Sequence, residues 1–438
     1  MTFEKLLQQS LVWRGLYFVT LLLVNIVVSR SLQADGTGWI YYLTNFFSFI
    51  LLVASLSMES GYTFYAAGNI ISHHKLAWFS LIWTFLISIV SAIGVSIYFK
   101  NIKSIHTDYI DNYVFYAATY IAGILLINFF MVLFYAQKNY AAPNILLSLV
   151  NIVLIILIVI DSKTTKSYNV VVNSYFFSIL LQGILLAIAF IYLNKSFKFI
   201  ALPNKSSFKL LLNYSLIALT SNVIFFFVYR IDYWFVKYNT ESCTPADLGN
   251  YIQASKLGQM LLIIPQIFAS VIFPQTASGE LRENITQAII VFFRVFFQVL
   301  LFVIIIVSII GKWLFPTVFG ASFNNMAMPV LLLLPGVFSL SVLCLLSAYF
   351  GGVGKVKINV VGGVYALIVV IIGNIIFIPL YGINGAAAVS SIAYTVNLLY
   401  SLNHFFNDNP MPLKLLFSFN TNDWKWVKNM LFHKTTTS

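Results

Sequence analysis

Apolar stretches about twenty residues long recur along the whole chain, and that recurrence leaves few folds open. A bilayer core about 30 Å thick is crossed by roughly 20 apolar residues in a helix. Such stretches lie near 8–30, 39–64, 76–99, 112–136, 142–160, 170–193, 209–236, 248–274, 287–310, 324–349, 356–378 and 383–405. Turn chemistry separates them, as in Asp35-Gly36-Thr37-Gly38, Ser72-His73-His74-Lys75, Gly351-Gly352-Val353-Gly354 and Pro379-Leu380-Tyr381-Gly382. Only 9% of the residues are charged and 60% are hydrophobic. Soluble domains carry roughly 25% charged residues, so a soluble fold would have too little polar surface to cover itself. The chain therefore reads as an all-α polytopic membrane protein of about 12 transmembrane helices. The first apolar stretch has no small-residue cleavage site, so it is expected to be a span rather than a signal peptide.

An even number of spans puts both termini on one face. With both inside, the inner loops receive about twice as many Lys and Arg as the outer ones, which favours cytoplasmic termini. The net charge of +12 then meets anionic lipid rather than nucleic acid. The Lys195–Lys198–Lys205 loop divides the chain nearly in half. The expected organisation is an N-terminal six-helix lobe (1–193), a cytoplasmic basic linker (194–208), a C-terminal six-helix lobe (209–406) and a cytoplasmic tail (407–438). The two halves resemble each other weakly, in Ser10 and Ser215 early in spans one and seven and in Arg30 and Lys237 at their ends. Parallel repeats of this kind occur in transporters. In the tail, Trp424, Val427 and Leu431 recur at helical spacing beside Lys425 and Lys428, which fits an amphipathic helix on the inner leaflet or a frayed end.

No loop is long enough to fold as a domain. The five histidines show no zinc spacing, and neither a Walker loop nor GxGxxG is present. No cofactor or metal is expected, and no enzyme. Cys243 falls in a predicted outer loop and Cys344 within a span, so no disulfide is expected.

An ionisable residue within a span is costly and marks function by default. There are six: Arg14, Glu59, Arg230, Asp232, Lys256 and Arg294. Four are basic. Depth places Arg14 and Glu59 in the inner half of adjacent helices, where they are expected to pair. It places Asp232 and Lys256 at matching depth in the outer half, a second expected pair. Arg230 and Asp232 are two apart and point about 200° away from each other. Arg230 and Lys237 are seven apart and share a face with Tyr233 and Trp234 near it, a basic and aromatic surface suited to a pyrophosphate or a sugar. Arg230 and Arg294 have an alternative reading, that each snorkels to its interface. Pro265, Pro274, Pro329 and Pro335 interrupt spans eight and ten, as moving bends or as static kinks.

Specific motifs also occur. The segment Arg230-Ile231-Asp232-Tyr233-Trp234-Phe235, followed by Gly249-Asn250-Tyr251-Ile252-Gln253-Ala254 and by Phe273-Pro274, resembles the R-x-D, G-x-Y-x-x-A and F-P signature of polysaccharide flippases. Tyr381-Gly382-Ile383-Asn384-Gly385-Ala386-Ala387 resembles their G-I-x-G-A-A turn. Ser29-Arg30-Ser31-Leu32 and Gly38-Trp39-Ile40-Tyr41 resemble R-x-L-G…G-x-Y, with Gln33 where the family usually has Gly. On these residues the chain resembles the Wzx-like O-antigen and polysaccharide flippases of the multidrug/oligosaccharidyl-lipid/polysaccharide exporter superfamily.

The resemblance implies two six-helix lobes in a V around a central cavity. It implies alternating access that carries an undecaprenyl-diphosphate-linked oligosaccharide across a bacterial cytoplasmic (inner) membrane, for O-antigen, lipopolysaccharide or capsule assembly. The implied partners are this lipid-linked glycan, membrane lipid and the polysaccharide polymerase machinery, with the protein a monomer. Candidate substrate contacts are Arg14, Arg230, Lys237, Lys256 and Arg294. Glu59 and Asp232 are candidates for lobe-locking ion pairs or ion coupling. The rival within the same fold is an organic-cation antiporter, which needs unpaired carboxylates. A membrane glycosyltransferase is disfavoured by the short loops.

Overall fold

The computed structural model describes residues 3–68, 70–101, 112–164, 167–194, 201–277, 282–412, 414–418, 420 and 422–425. Helices follow one another: α1 (Phe3–Ala54), α2 (Met58–Ala67), α3 (His73–Asn101), α4 (Tyr113–Ala136), α5 (Ala141–Lys163), α6 (Tyr168–Leu193), α7 (Lys205–Tyr238), α8 (Pro245–Leu261), α9 (Ile263–Ala277), α10 (Arg282–Phe319), α11 (Ala327–Gly352), α12 (Val356–Asp408) and the short α13 (Lys414–Phe417). A 3-10 turn, Ala321–Phe323, links α10 to α11.

Among the described residues nine helices are long and apolar enough to cross a membrane. Two of them, α1 and α12, have 52 and 53 residues. At about 1.5 Å per residue each would reach ~80 Å, far beyond a ~30 Å hydrocarbon core. Both fold back on themselves. In α1 the reversal falls at Gln33 (φ 58, ψ -178). Asn25 and Tyr41, placed symmetrically about it, are joined by a hydrogen bond from the Tyr41 hydroxyl to the Asn25 side-chain carbonyl. Along a straight helix these residues would stand ~24 Å apart. In α12 the reversal falls at Gly382 (φ 56, ψ -137). The Tyr365 and Tyr400 rings meet at 5.2 Å across it, and Lys355 Nζ binds Asp408 at 2.5 and 2.7 Å where the two arms end.

A further crossing is broken into α8 and α9 at Leu262. Pro265 has no N–H to offer the Leu261 carbonyl four residues back, so the helix cannot run through. Among the described residues the nine helices, two of them doubled, and the broken pair provide twelve segments long enough to cross. The protein is an all-α polytopic membrane protein.

The surface has the polarity lipid demands. On α5, Leu149, Ile152, Val153, Ile156, Leu157 and Ile160 are exposed, while Asn144, Ser148 and Asn151 are buried. The polar stripe bonds inward: Asn151 donates to Thr20 at 3.1 Å and accepts from Gln182 at 2.8 Å. With no water in the hydrocarbon, such groups must find protein partners.

The chain divides into two compact units, 1–223 and 224–438. The expected linker at 194–208 includes residues 195–200, which lie outside the described ones. In the first unit α4 and α6 pack backbone to backbone: a Cβ on Gly123 would lie 2.5 Å from the Ile179 carbonyl oxygen, and one on Gly183 2.7 Å from that of Gly123. Small residues permit such approach between membrane helices. In the second unit α11 packs against α8, α9, α10 and α12. Pro335 loosens its middle turn, and the Ser391 hydroxyl of α12 bridges the opening. It donates to the Leu332 carbonyl at 2.5 Å and accepts from the Gly336 amide at 3.1 Å. Of the four prolines read as possible bends, Pro265 marks the α8–α9 break and Pro335 this side-chain-bridged turn.

Candidate functional site

Two of the intramembrane charges come together in the first unit. Arg14 on α1 and Glu59 on α2 both line a pocket of about 530 Å³, with Ser60, Asn128, Met131 and Tyr135. The Arg14 guanidinium lies 4.7 Å from the centroid of the Tyr135 ring, and its Nε donates to the Tyr135 hydroxyl at 3.5 Å. Glu59 accepts from Ser55 Oγ at 3.4 Å. The expected Arg14–Glu59 ion pair is not formed: each side chain has a neutral partner instead, Tyr135 for Arg14 and Ser55 for Glu59. The depth argument assumed one unbroken helix over 39–64. The helix breaks at Ser55–Ser57, with Leu56 and Ser57 in the left-handed region (φ 56 and 51). Glu59 instead opens α2, where the helix dipole favours a carboxylate.

The second unit holds a connected polar core between α7, α8 and α12. Asp232 is 1% exposed. Its carboxylate accepts from the Tyr251 hydroxyl, from Ser390 Oγ at 3.2 Å and from the Tyr233 amide at 2.9 Å. Its partners are thus hydroxyls and an amide, and no ion pair joins it to Lys256, contrary to the depth argument. Tyr251 is the residue that α8 turns toward Asp232. Lys256, five residues on, lies about 140° further round the helix.

The network continues on the other side of Tyr233. The Tyr233 hydroxyl donates to Ser255 at 2.9 Å, and Gln259 Nε2 donates to Ser255 at 3.2 Å. Arg230 then donates to Gln259 Oε1 at 3.3 Å. Arg230 and Asp232 do point apart, as their spacing requires, yet Tyr233 touches both groups: its amide donates to Asp232, and its hydroxyl joins the Ser255–Gln259–Arg230 chain. Neither Arg14 nor Arg230 is in an ion pair among the described residues; their partners are a tyrosine and a glutamine.

Lys237 sits in the last turn of α7, with Nζ 6.0 Å from the Tyr238 ring centroid. Arg294 is bound to the tail. Its Nη1 binds both Asp423 oxygens at 3.1 and 3.3 Å, and its Nε donates to the Leu415 carbonyl at 2.8 Å. Alongside, Trp424 donates to Gln298 at 2.8 Å, and the Phe417 ring meets Phe293 and Phe297 edge-on. The tail up to Lys425 is therefore fastened to α10. Of the stripe expected to lie on the membrane, Trp424 is committed to α10, and Val427 and Leu431 lie outside the described residues.

Sequence reasoning missed Tyr135, Ser390 and Gln259. Tyr251 was visible as the aromatic of the G-x-Y motif. Ser390 carried no signal, since its partner lies 158 residues away. Cys243 and Cys344 are free thiols, as expected.

No protein-family model and no curated protein matches the sequence. Solved structures do match over nearly the whole length. The chain superposes on a lipid II flippase, MurJ, in an inward closed conformation, with TM-score 0.68 and 14% identity, covering 96% of this chain and 95% of that one. It matches a Vibrio cholerae MATE transporter with TM-score 0.65 and 13% identity, covering 94% and 98%. A MOP superfamily transporter from Pyrococcus furiosus gives 0.63 and 15%, covering 92% and 93%. At these identities the likeness is one of fold: the chain carries the fold of the MOP superfamily transporters.

Proposed function

We propose that the protein is a flippase that moves an undecaprenyl-diphosphate-linked oligosaccharide from the cytoplasmic to the outer leaflet of a bacterial inner membrane. The observation that carries this reading is the pair of intramembrane arginines, Arg14 and Arg230, that have only neutral hydrogen-bond partners. A guanidinium kept in a span without a carboxylate is costly, and a diphosphate is the ligand whose oxygens it binds bidentately. A sugar headgroup cannot cross hydrocarbon unaided, whereas a polar path through the protein under alternating access lets the prenyl tail stay in lipid. The fold shared with a lipid II flippase supports the same reading. In this account the protein works as a monomer with both termini cytoplasmic. It supplies the polysaccharide polymerase machinery and leaves its cargo chemically unchanged. Lys237 and Lys256 add positive potential beside Arg230. Asp232 serves as the coupling carboxylate.

Glu59 favours a second reading. With Ser55 as its partner and no ion pair, it leaves room for an organic cation, as in a multidrug antiporter of the same fold. Transport assays on reconstituted vesicles separate the two. Fluorescent prenyl-diphosphate-linked glycan should move with wild type and fail with Arg230→Glu, while dye cations should show no protein-dependent flux. Dye flux that depends on Glu59, with no glycan movement, overturns the proposal.

A further inference from the structure

The turn end of the second unit carries a polar pocket of about 650 Å³ that the transport argument does not use. It is built by Asp247 in the first turn of α8, Lys312 late in α10, Asn324 and Asn325 after the 3-10 turn, and Tyr381 and Asn384 around the Gly382 reversal of α12. Its size is within the roughly 300–1,000 Å³ of small-molecule sites. It lies one arm of α12 away from the Lys355–Asp408 clasp, about 40 Å along the helix. That is the end opposite the tail.

Its chemistry is selective. One cation and one carboxylate leave no net charge, so the pocket does not favour an anion. Three asparagine amides each offer donors and an acceptor, the complement of a hydroxyl that both gives and takes. Asp247 fixes the nearest of them, accepting from Asn325 Nδ2 at 3.1 Å while its other oxygen holds Thr244 in a capping box. Tyr381 is 61% exposed and stacks on Phe377 with a centroid distance of 6.1 Å. A rigid, exposed aromatic face suits the apolar face of a sugar ring.

We propose that this pocket binds the uncharged sugar headgroup of the transported lipid at the outer face, holding the glycan once its diphosphate has left the arginines. The inference rests on the transport reading above, which supplies the glycan and the orientation.

The test uses the full chain in nanodiscs and the free oligosaccharide released by mild acid from the host's prenyl-linked pool. Binding is followed by isothermal titration, with the unfolding midpoint as the folding control. Wild type should bind. Asn325→Ala with Asn384→Ala should weaken binding at least about tenfold. Tyr381→Ala, at an exposed position that folding does not need, should weaken it severalfold, and Tyr381→Phe should retain it. Inorganic diphosphate should not compete. Absent wild-type binding, variants that bind as well as wild type, or displacement by diphosphate each overturn the inference. The transport reading fails separately, when deletion of the gene leaves no glycan trapped on the inner leaflet.

Discussion

Arg294 grips both carboxylate oxygens of Asp423, at 3.1 and 3.3 Å, across 129 residues of sequence. The two side chains are 12% and 7% exposed, so the bond is shielded from water. A charge-assisted hydrogen bond contributes about 1.5–3 kcal/mol. Asp423→Ala and Arg294→Ala should each release the tail and speed tryptic cleavage at Lys414 by about tenfold or more. The exchange Arg294→Asp with Asp423→Arg should restore protection in part. Equal cleavage rates in all variants contradict the clasp.

That clasp shows where sequence reading stopped. The placement of Arg294 within an apolar helix was legible, and so was the rarity of charge that drew attention to it. The tail lies outside any hydropathy argument, and nothing local says that it returns to α10. Glu59 failed for a different reason: three non-helical residues at Ser55–Ser57 re-aimed it, and no proline or glycine announces that break. The spans were legible because lipid imposes one length and one polarity on every crossing. Gln33 was legible too, as a departure from the glycine its motif usually carries.

Gln33 occupies a backbone region that suits glycine, at φ 58 and ψ -178. Its side chain compensates locally by donating to the Arg30 carbonyl at 2.8 Å. Gln33→Gly should leave the hairpin intact and raise stability by up to about 1 kcal/mol. Gly382→Ala, at the equivalent reversal of α12, should lower it by about 1–2 kcal/mol. Detergent-based thermal unfolding, read by size-exclusion chromatography, distinguishes opposite shifts from equal ones.

Asp232 is held by neutral donors on α8 and α12, so the isosteric Asp232→Asn removes the charge with little change in packing. The variant should fold, with an unfolding midpoint within a few degrees of wild type. Its transport should fall by about tenfold or more. Full transport by Asp232→Asn removes it from coupling. Collapse of the fold would assign it a purely structural role.

Cys243 lies in the loop between α7 and α8 and is 7% exposed. Burial, with Asp247 adding, pushes its thiol up from 9.0 to about 11. The thiolate is the reactive form, so at pH 8 the protein should be alkylated about a hundredfold more slowly than a thiol at the ordinary value. Because the folded value is the higher one, this residue's contribution to stability is present in full below about pH 9 and is lost as pH rises through about 11. Maleimide labelling of a Cys344→Ala protein across pH 7–10 measures this. Rapid labelling at pH 8 contradicts it.

Under the proposed function, Arg14 and Arg230 serve a lipid-linked diphosphate. The most direct test is the sidedness of radiolabelled prenyl-linked glycan in cells lacking the gene, read by accessibility to an impermeant glycosidase in inverted and right-side-out vesicles. The glycan should accumulate on the cytoplasmic leaflet. Wild type should clear it, and neither Arg14→Glu nor Arg230→Glu should. Normal outer-leaflet glycan in the deletion strain, or full rescue by both charge reversals, would contradict it.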